Sequence, residues 1–124
     1  MRFSLVLVFL ILTGCTSWKK MMVVMGSNPE EKNPSTLHMG EIVYRANCIE
    51  CHGSTGKGDG ALAKGLVTPP ADLYLLAQKK SAKSFAASTM YGKNKEMPAF
   101  LGKLSETEIW HVANYIASWK QDKK

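Results

Sequence analysis

The chain has 124 residues, of which 45% are hydrophobic and 21% charged, and its formal net charge is +6. That length leaves room for one domain, and the excess of lysine suits an acidic protein partner or an anionic surface. No basic run is interleaved with aromatics, so a nucleic-acid-binding segment is not indicated.

The chain opens with Arg2 and an apolar run from Phe3 to Leu12, interrupted by Ser4. This is the layout of a secretory signal, and it falls short of the roughly 20 residues a membrane-spanning helix needs. Leu12-Thr13-Gly14-Cys15 follows, and it resembles the lipobox of bacterial lipoproteins. The resemblance implies cleavage before Cys15, a diacylglycerol on its sulfur, and a domain held at a membrane on the periplasmic or extracytoplasmic side. Residues 1–14 then read as a signal peptide, 15–34 as a flexible tether and 35–124 as the folded domain. Met21 to Met25 form an apolar patch inside that tether.

Leu37, Gly40, Val43, Tyr44 and Cys48 recur at helical spacing, with Ser35 or Thr36 available as N-cap after Pro34. The helix runs into Cys48-Ile49-Glu50-Cys51-His52. Residues three and four apart share a helix face, so both thiols and the imidazole turn toward one flat object. That pattern is the attachment motif of haem: two thioether bonds, with His52 ligating iron from the same side. A thioredoxin-like site needs a preceding strand, and a zinc site needs a second ligand pair; the sequence offers neither. The glycines between Gly53 and Gly60 lack the Lys-Ser/Thr ending of a phosphate loop, and are expected to let backbone pass close to the haem edge.

Thr68-Pro69-Pro70 comes next. A carbonyl of Pro69 or Pro70 is a suitable acceptor for the second nitrogen of His52. Helices are expected near Ala71 to Gln78 and Ser81 to Tyr91, the latter ended by Gly92. Seven methionines are present. Of those beyond the tether, Met39 and Met90 fall on helices and read as packing, whereas Met97 lies in a loop stiffened by Pro98 and is the candidate sixth iron ligand. His38 and His111 are the remaining imidazoles, each on a polar helix face. Ser105-Glu106-Thr107-Glu108 is a capping box, opening a helix with Ile109, Val112, Ala113, Ile116 and Ala117 as its apolar stripe. Nothing alternates as a strand does, so the domain is expected to be all-α.

From Thr36 to Trp119 the chain resembles a class I cytochrome c domain of the compact bacterial kind that also occurs with terminal oxidases. The resemblance rests on Gly40 and Tyr44 before the haem motif, on Pro69-Pro70-Ala71-Asp72-Leu73, on Met97-Pro98-Ala99-Phe100, and on Val112-Ala113-Asn114-Tyr115-Ile116. It implies about four helices around one covalent haem c, with Gly40 and Tyr44 meeting Val112 and Tyr115 where the terminal helices cross. It implies iron held by His52 and Met97, hence single-electron transfer in a respiratory chain with no catalysis and no small-molecule substrate. Its implied partners are acidic redox proteins or a respiratory complex, docking at an exposed haem edge ringed by Lys57, Lys93 and Lys95.

Overall fold

The computed structural model describes residues 28–30 and 32–120. The expected signal segment, Cys15 and the Met21 to Met25 patch lie outside the described residues. Among those described, five α-helices and a 3-10 turn (Ala63–Gly65) form the regular structure, with a single isolated bridge between Leu101 and Leu104 and no strand. None of these helices is long and apolar enough to cross a membrane.

Helix α1 (Pro34–Asn47) is capped by Asn33, whose side chain accepts from the Thr36 N–H while the Thr36 hydroxyl oxygen accepts from the Asn33 N–H, both at 3.0 Å. The cap therefore precedes Pro34, where Ser35 or Thr36 was expected. Proline is well placed in a first turn, since its missing N–H is one of the groups a helix start leaves unpaired. Helix α5 (Glu106–Ala117) starts with the expected capping box between Ser105 and Glu108. It buries Ile109, Val112, Ala113 and Ile116, and also Trp110, which the expected stripe omitted.

The two terminal helices cross at Gly40. A Cβ there would stand 2.1 Å from the His111 carbonyl oxygen and 2.7 Å from Tyr115 Cβ, so only glycine lets the backbones approach this closely. Beside the crossing, Tyr44, Tyr115 and Trp119 pack as tilted and edge-to-face rings with centroids 5.3 to 5.8 Å apart, the favoured aromatic geometry. Helix α4 (Ala82–Tyr91) packs on α5 through Phe85, Ala86 and Met90. Between α1 and α4 in sequence lie the single turn α2 (Ile49–His52) and the short helix α3 (Leu73–Ala77), whose cap Asp72 accepts from the Leu75 N–H at 2.8 Å.

Contacts with the helical body also come from before residue 35. Asn28 donates to Asn114 Oδ1 at 2.6 Å, and Asn114 Nδ2 donates to the Glu30 carbonyl at 3.3 Å. Asn114 is 2% exposed, and a buried amide needs partners at both ends. Residues 28–30, assigned to the tether from sequence, supply them.

Candidate haem site

One helical turn brings the motif residues together. The N–H groups of Cys51 and His52 both donate to the Cys48 carbonyl, at 3.2 and 2.8 Å, so Cys48, Cys51 and His52 share a face. The glycine loop that follows folds over this turn: Gly58 N–H donates to the His52 carbonyl, Gly60 N–H to Cys51 and Leu62 N–H to Glu50, at 2.9, 3.1 and 2.8 Å. These are the carbonyls a helix end leaves unpaired, so the loop caps the haem motif. Its close neighbours are the Glu50 carbonyl, beside Gly60, and the Trp119 ring, beside Gly56.

His52 Nδ1 lies 3.1 Å from the Ala71 carbonyl. This corrects the expected acceptor, Pro69 or Pro70: the Pro70 carbonyl is instead turned against Gly58, within 2.4 Å of where a Cβ would stand. A carbonyl only accepts, so Nδ1 carries the proton and Nε2 keeps its lone pair for a metal. Burial pushes the His52 pKa down, opposed by the bond to Ala71, and the net lowering favours the neutral ring that a ligand requires.

Both thiols are free and half-buried. Burial, then the neighbouring Cys51, pushes Cys48 up to about 11. Disulfide-exchange cysteines are activated by a lowered pKa, so this environment does not suit dithiol redox chemistry. Among the described residues no three His, Cys, Asp or Glu side chains gather as a metal site, which leaves the pair without zinc co-ligands.

Helix α4 ends at Gly92, whose φ of 69° lies in the left-handed region, and the chain then doubles back on the helix. Phe100 and Leu101 N–H groups donate to the Thr89 and Met90 carbonyls at 2.9 and 3.2 Å, and Lys93 N–H to Met97 at 3.1 Å. Inside the loop, Asn94 Oδ1 accepts from the N–H groups of Glu96 and Met97 at 3.0 and 2.9 Å. Glu96 in turn accepts from the N–H groups of Thr68 and Val67, at 2.7 and 2.5 Å, and these bonds, Thr68's first, hold its carboxyl below the usual range.

The motif and the loop meet at a crevice of about 490 Å³. Cys48, Cys51, His52 and Met97 all line it, together with Pro69, Pro70, Leu73, Leu76, Phe85, Phe100 and Ile116. Met90 is in the core at 2% exposure and Met39 is 42% exposed, so Met39 is not the packing residue expected; neither lines the crevice. His38 and His111 are also absent from its lining. His111 is not solvated: its side chain is 13% exposed and Nε2 is 3.4 Å from a Glu30 oxygen. Of the lysines expected at the edge, Lys93 lines the crevice and Lys57 and Lys95 do not, while Lys80 and Lys103 do. Sequence reasoning missed Ala71, Asn94 and Glu96; the first and last act through backbone groups far off in the chain.

The donor set fits one haem: two thiols on one face for covalent attachment, a neutral imidazole beside them, a thioether in the same cavity, and an apolar lining. An all-α fold with crossed terminal helices and this site defines a class I mono-haem cytochrome c domain. A family model described as Cytochrome C oxidase, cbb3-type, subunit III matches residues 35–116, and the chain belongs to that family. The cytochrome c6 of Petalonia fascia is 36% identical over 85 residues, which span 68% of this chain and 94% of that protein. The cytochrome c6 of Anabaena variabilis is 37% identical over 86 residues, spanning 65% and 94%. Among solved structures, the Kuenenia stuttgartiensis reducing HAO-like protein complex Kustc0457/Kustc0458 contains a chain that superposes with a TM-score of 0.66 at 27% identity. That likeness covers 75% of this chain and 47% of the other, so this chain spans about half its length. The protein is thus a haem c electron-transfer protein with one covalent haem and its iron.

Proposed function

We propose that the chain is a lipid-anchored electron carrier of a respiratory chain, moving single electrons between redox complexes outside the cytoplasm. In this reading Cys48 and Cys51 hold the haem, His52 and Met97 ligate its iron, and Cys15 carries the anchor. The observation that carries it is the shared crevice of His52 and Met97. Haem c bound there supplies an iron that changes by one electron. The chain's own residues then have three tasks. Ala71 orients His52 and raises its basicity as a ligand. Met97 supplies a soft thioether, which favours reduced iron and closes the sixth position to substrate. Lys80, Lys93 and Lys103, at the crevice, favour an acidic partner.

Met97→Ala tests the ligand assignment. The purified variant is expected to lose the methionine-to-ferric-iron absorption band, to bind carbon monoxide when reduced, and to have a lower potential. An unchanged potential with no carbon monoxide binding would remove Met97 from the iron.

A second reading, a fixed haem subunit of a larger complex, is favoured by the family description as a subunit and by the neighbour's membership of a complex. Mild detergent extraction and sizing separates the two: a mobile carrier runs alone, and a fixed subunit runs with large partners.

A further inference from the structure

Glu96 stands immediately before the proposed sixth ligand, yet its side chain reaches 28 and 29 positions back along the chain, to the N–H groups of Thr68 and Val67. Those two residues lead into Pro69, Pro70 and Ala71, and Ala71 is the residue that orients His52. The Thr68 side chain adds a further hydrogen bond to Glu96, so all these bonds between the segments 62–72 and 92–104 converge on one carboxylate. Both segments line the crevice. The contact is not a by-product of packing, because Val67 is 94% exposed and its side chain takes no part in it. It uses both carboxylate oxygens, one per N–H, which fixes orientation as well as distance.

We propose that Glu96 is a positioning residue that latches the Met97 loop to the segment orienting His52, and so keeps the Met97 thioether at the iron. Asn94 shapes the loop from within and Gly92 sets its origin, whereas among the described residues it is Glu96 that ties it across the crevice to the other segment. Without the latch the loop opens more often, and each opening exposes the sixth position to an external ligand. The inference rests on the reading of Met97 as sixth ligand.

The test uses the haem-loaded protein in its ferric form and measures the rate of imidazole binding, which requires Met97 to leave. Glu96→Ala is expected to bind imidazole about tenfold faster, the size of effect expected when hydrogen bonds to an ionised acceptor are lost. Glu96→Gln keeps one acceptor oxygen and should fall between Glu96→Ala and the parent. Asn114→Ala, which loosens the molecule at the 28–30 segment, should leave the rate unchanged. An unaltered rate in Glu96→Ala overturns the latch, as does an equal acceleration in Asn114→Ala. Should Glu96→Ala fail to load haem, Glu96→Gln alone decides, and an unaltered rate there overturns it. The methionine-to-iron band of the parent protein keeps the two readings apart: its absence removes Met97 as ligand, whereas its presence with unaltered imidazole rates removes only the latch.

Discussion

Replacing Gly40 with alanine sets two physical effects against each other. Gly40 lies inside α1, where alanine is intrinsically better by about 0.8 to 1 kcal/mol. By propensity alone the variant is more stable. The crossing with α5 says the opposite. The new methyl would stand 2.1 Å from the His111 carbonyl oxygen and 2.7 Å from Tyr115 Cβ. The first is backbone within α5 and the second is bonded directly to it, so neither swings aside as a side-chain tip does; the helices must separate. Overpacking of this kind costs about 1 to 3 kcal/mol when small shifts relieve it. Here the contact is with main chain and the required shift exceeds a few tenths of an ångström, so the upper part of that range applies. Subtracting the propensity gain leaves a net loss of about 2 kcal/mol. For a domain of this size that lowers Tm by about 8 to 16 °C. Thermal unfolding of the haem-loaded protein, followed by far-ultraviolet circular dichroism, measures it. A variant as stable as the parent, or more so, would show that the crossing is not close-packed at Gly40.

Three further outcomes are expected. Tyr44→Phe removes the hydroxyl that donates to the buried Gly53 carbonyl at 2.7 Å and leaves that carbonyl only the longer bond from the Gly56 N–H at 3.2 Å, so it should cost about 0.5 to 1.5 kcal/mol in urea unfolding; no loss would refute the bond. Glu108 is held below the usual carboxylate range by the Ser105 hydroxyl and then the Ser105 N–H, so its contribution to stability is present above the unfolded value, about 4.3, and fades as pH falls through the lower folded value. Glu108→Gln should therefore be less stable than the parent at neutral pH and converge with it in acid; a pH-independent gap would sink this assignment. Cys15→Ser should release folded, haem-loaded protein from membranes, and retention at the membrane would end the lipid-anchor reading.

What was legible in the sequence was what obeys local periodicity. The stripe through Ile109, Val112, Ala113 and Ile116, the capping box at Ser105, and the stop at Gly92 each depend on residues within a turn or two, and each appears in the structure. The haem motif was legible for the same reason, since its three functional side chains fit within one helical turn. Errors appeared where backbone groups or distant segments decide. The carbonyl facing His52 belongs to Ala71, one position past the prolines, because a peptide carbonyl carries no side-chain signature and its direction is set by the turn. The N-cap is Asn33 and not Ser35 or Thr36, because Pro34 itself suits the first helical position. Asn28 and Glu30 look like polar linker in the sequence, and it is the buried amide of Asn114, 86 and 84 positions on, that gives them partners.

The composition of the crevice also bears on which oxidation state the site favours. Leu73, Leu76, Phe85, Phe100 and Ile116 exclude water from one part of it, and an apolar surround penalises the additional positive charge of the oxidised iron. Lys80, Lys93 and Lys103 push in the same direction, while Glu50 and Glu96 oppose them. Glu96 is already committed to two N–H groups, which partly compensate its charge, so the opposing influence is weaker than a count of carboxylates suggests. Under the proposed ligation, a thioether from Met97 would add to the preference for reduced iron. Ligand, lining and lysines therefore act together toward a site that accepts an electron readily and releases it only to a stronger acceptor. If the partner is acidic, as proposed, its arrival would offset part of the lysines' positive field as it docks, and the oxidised state would become easier to reach when an acceptor is in place.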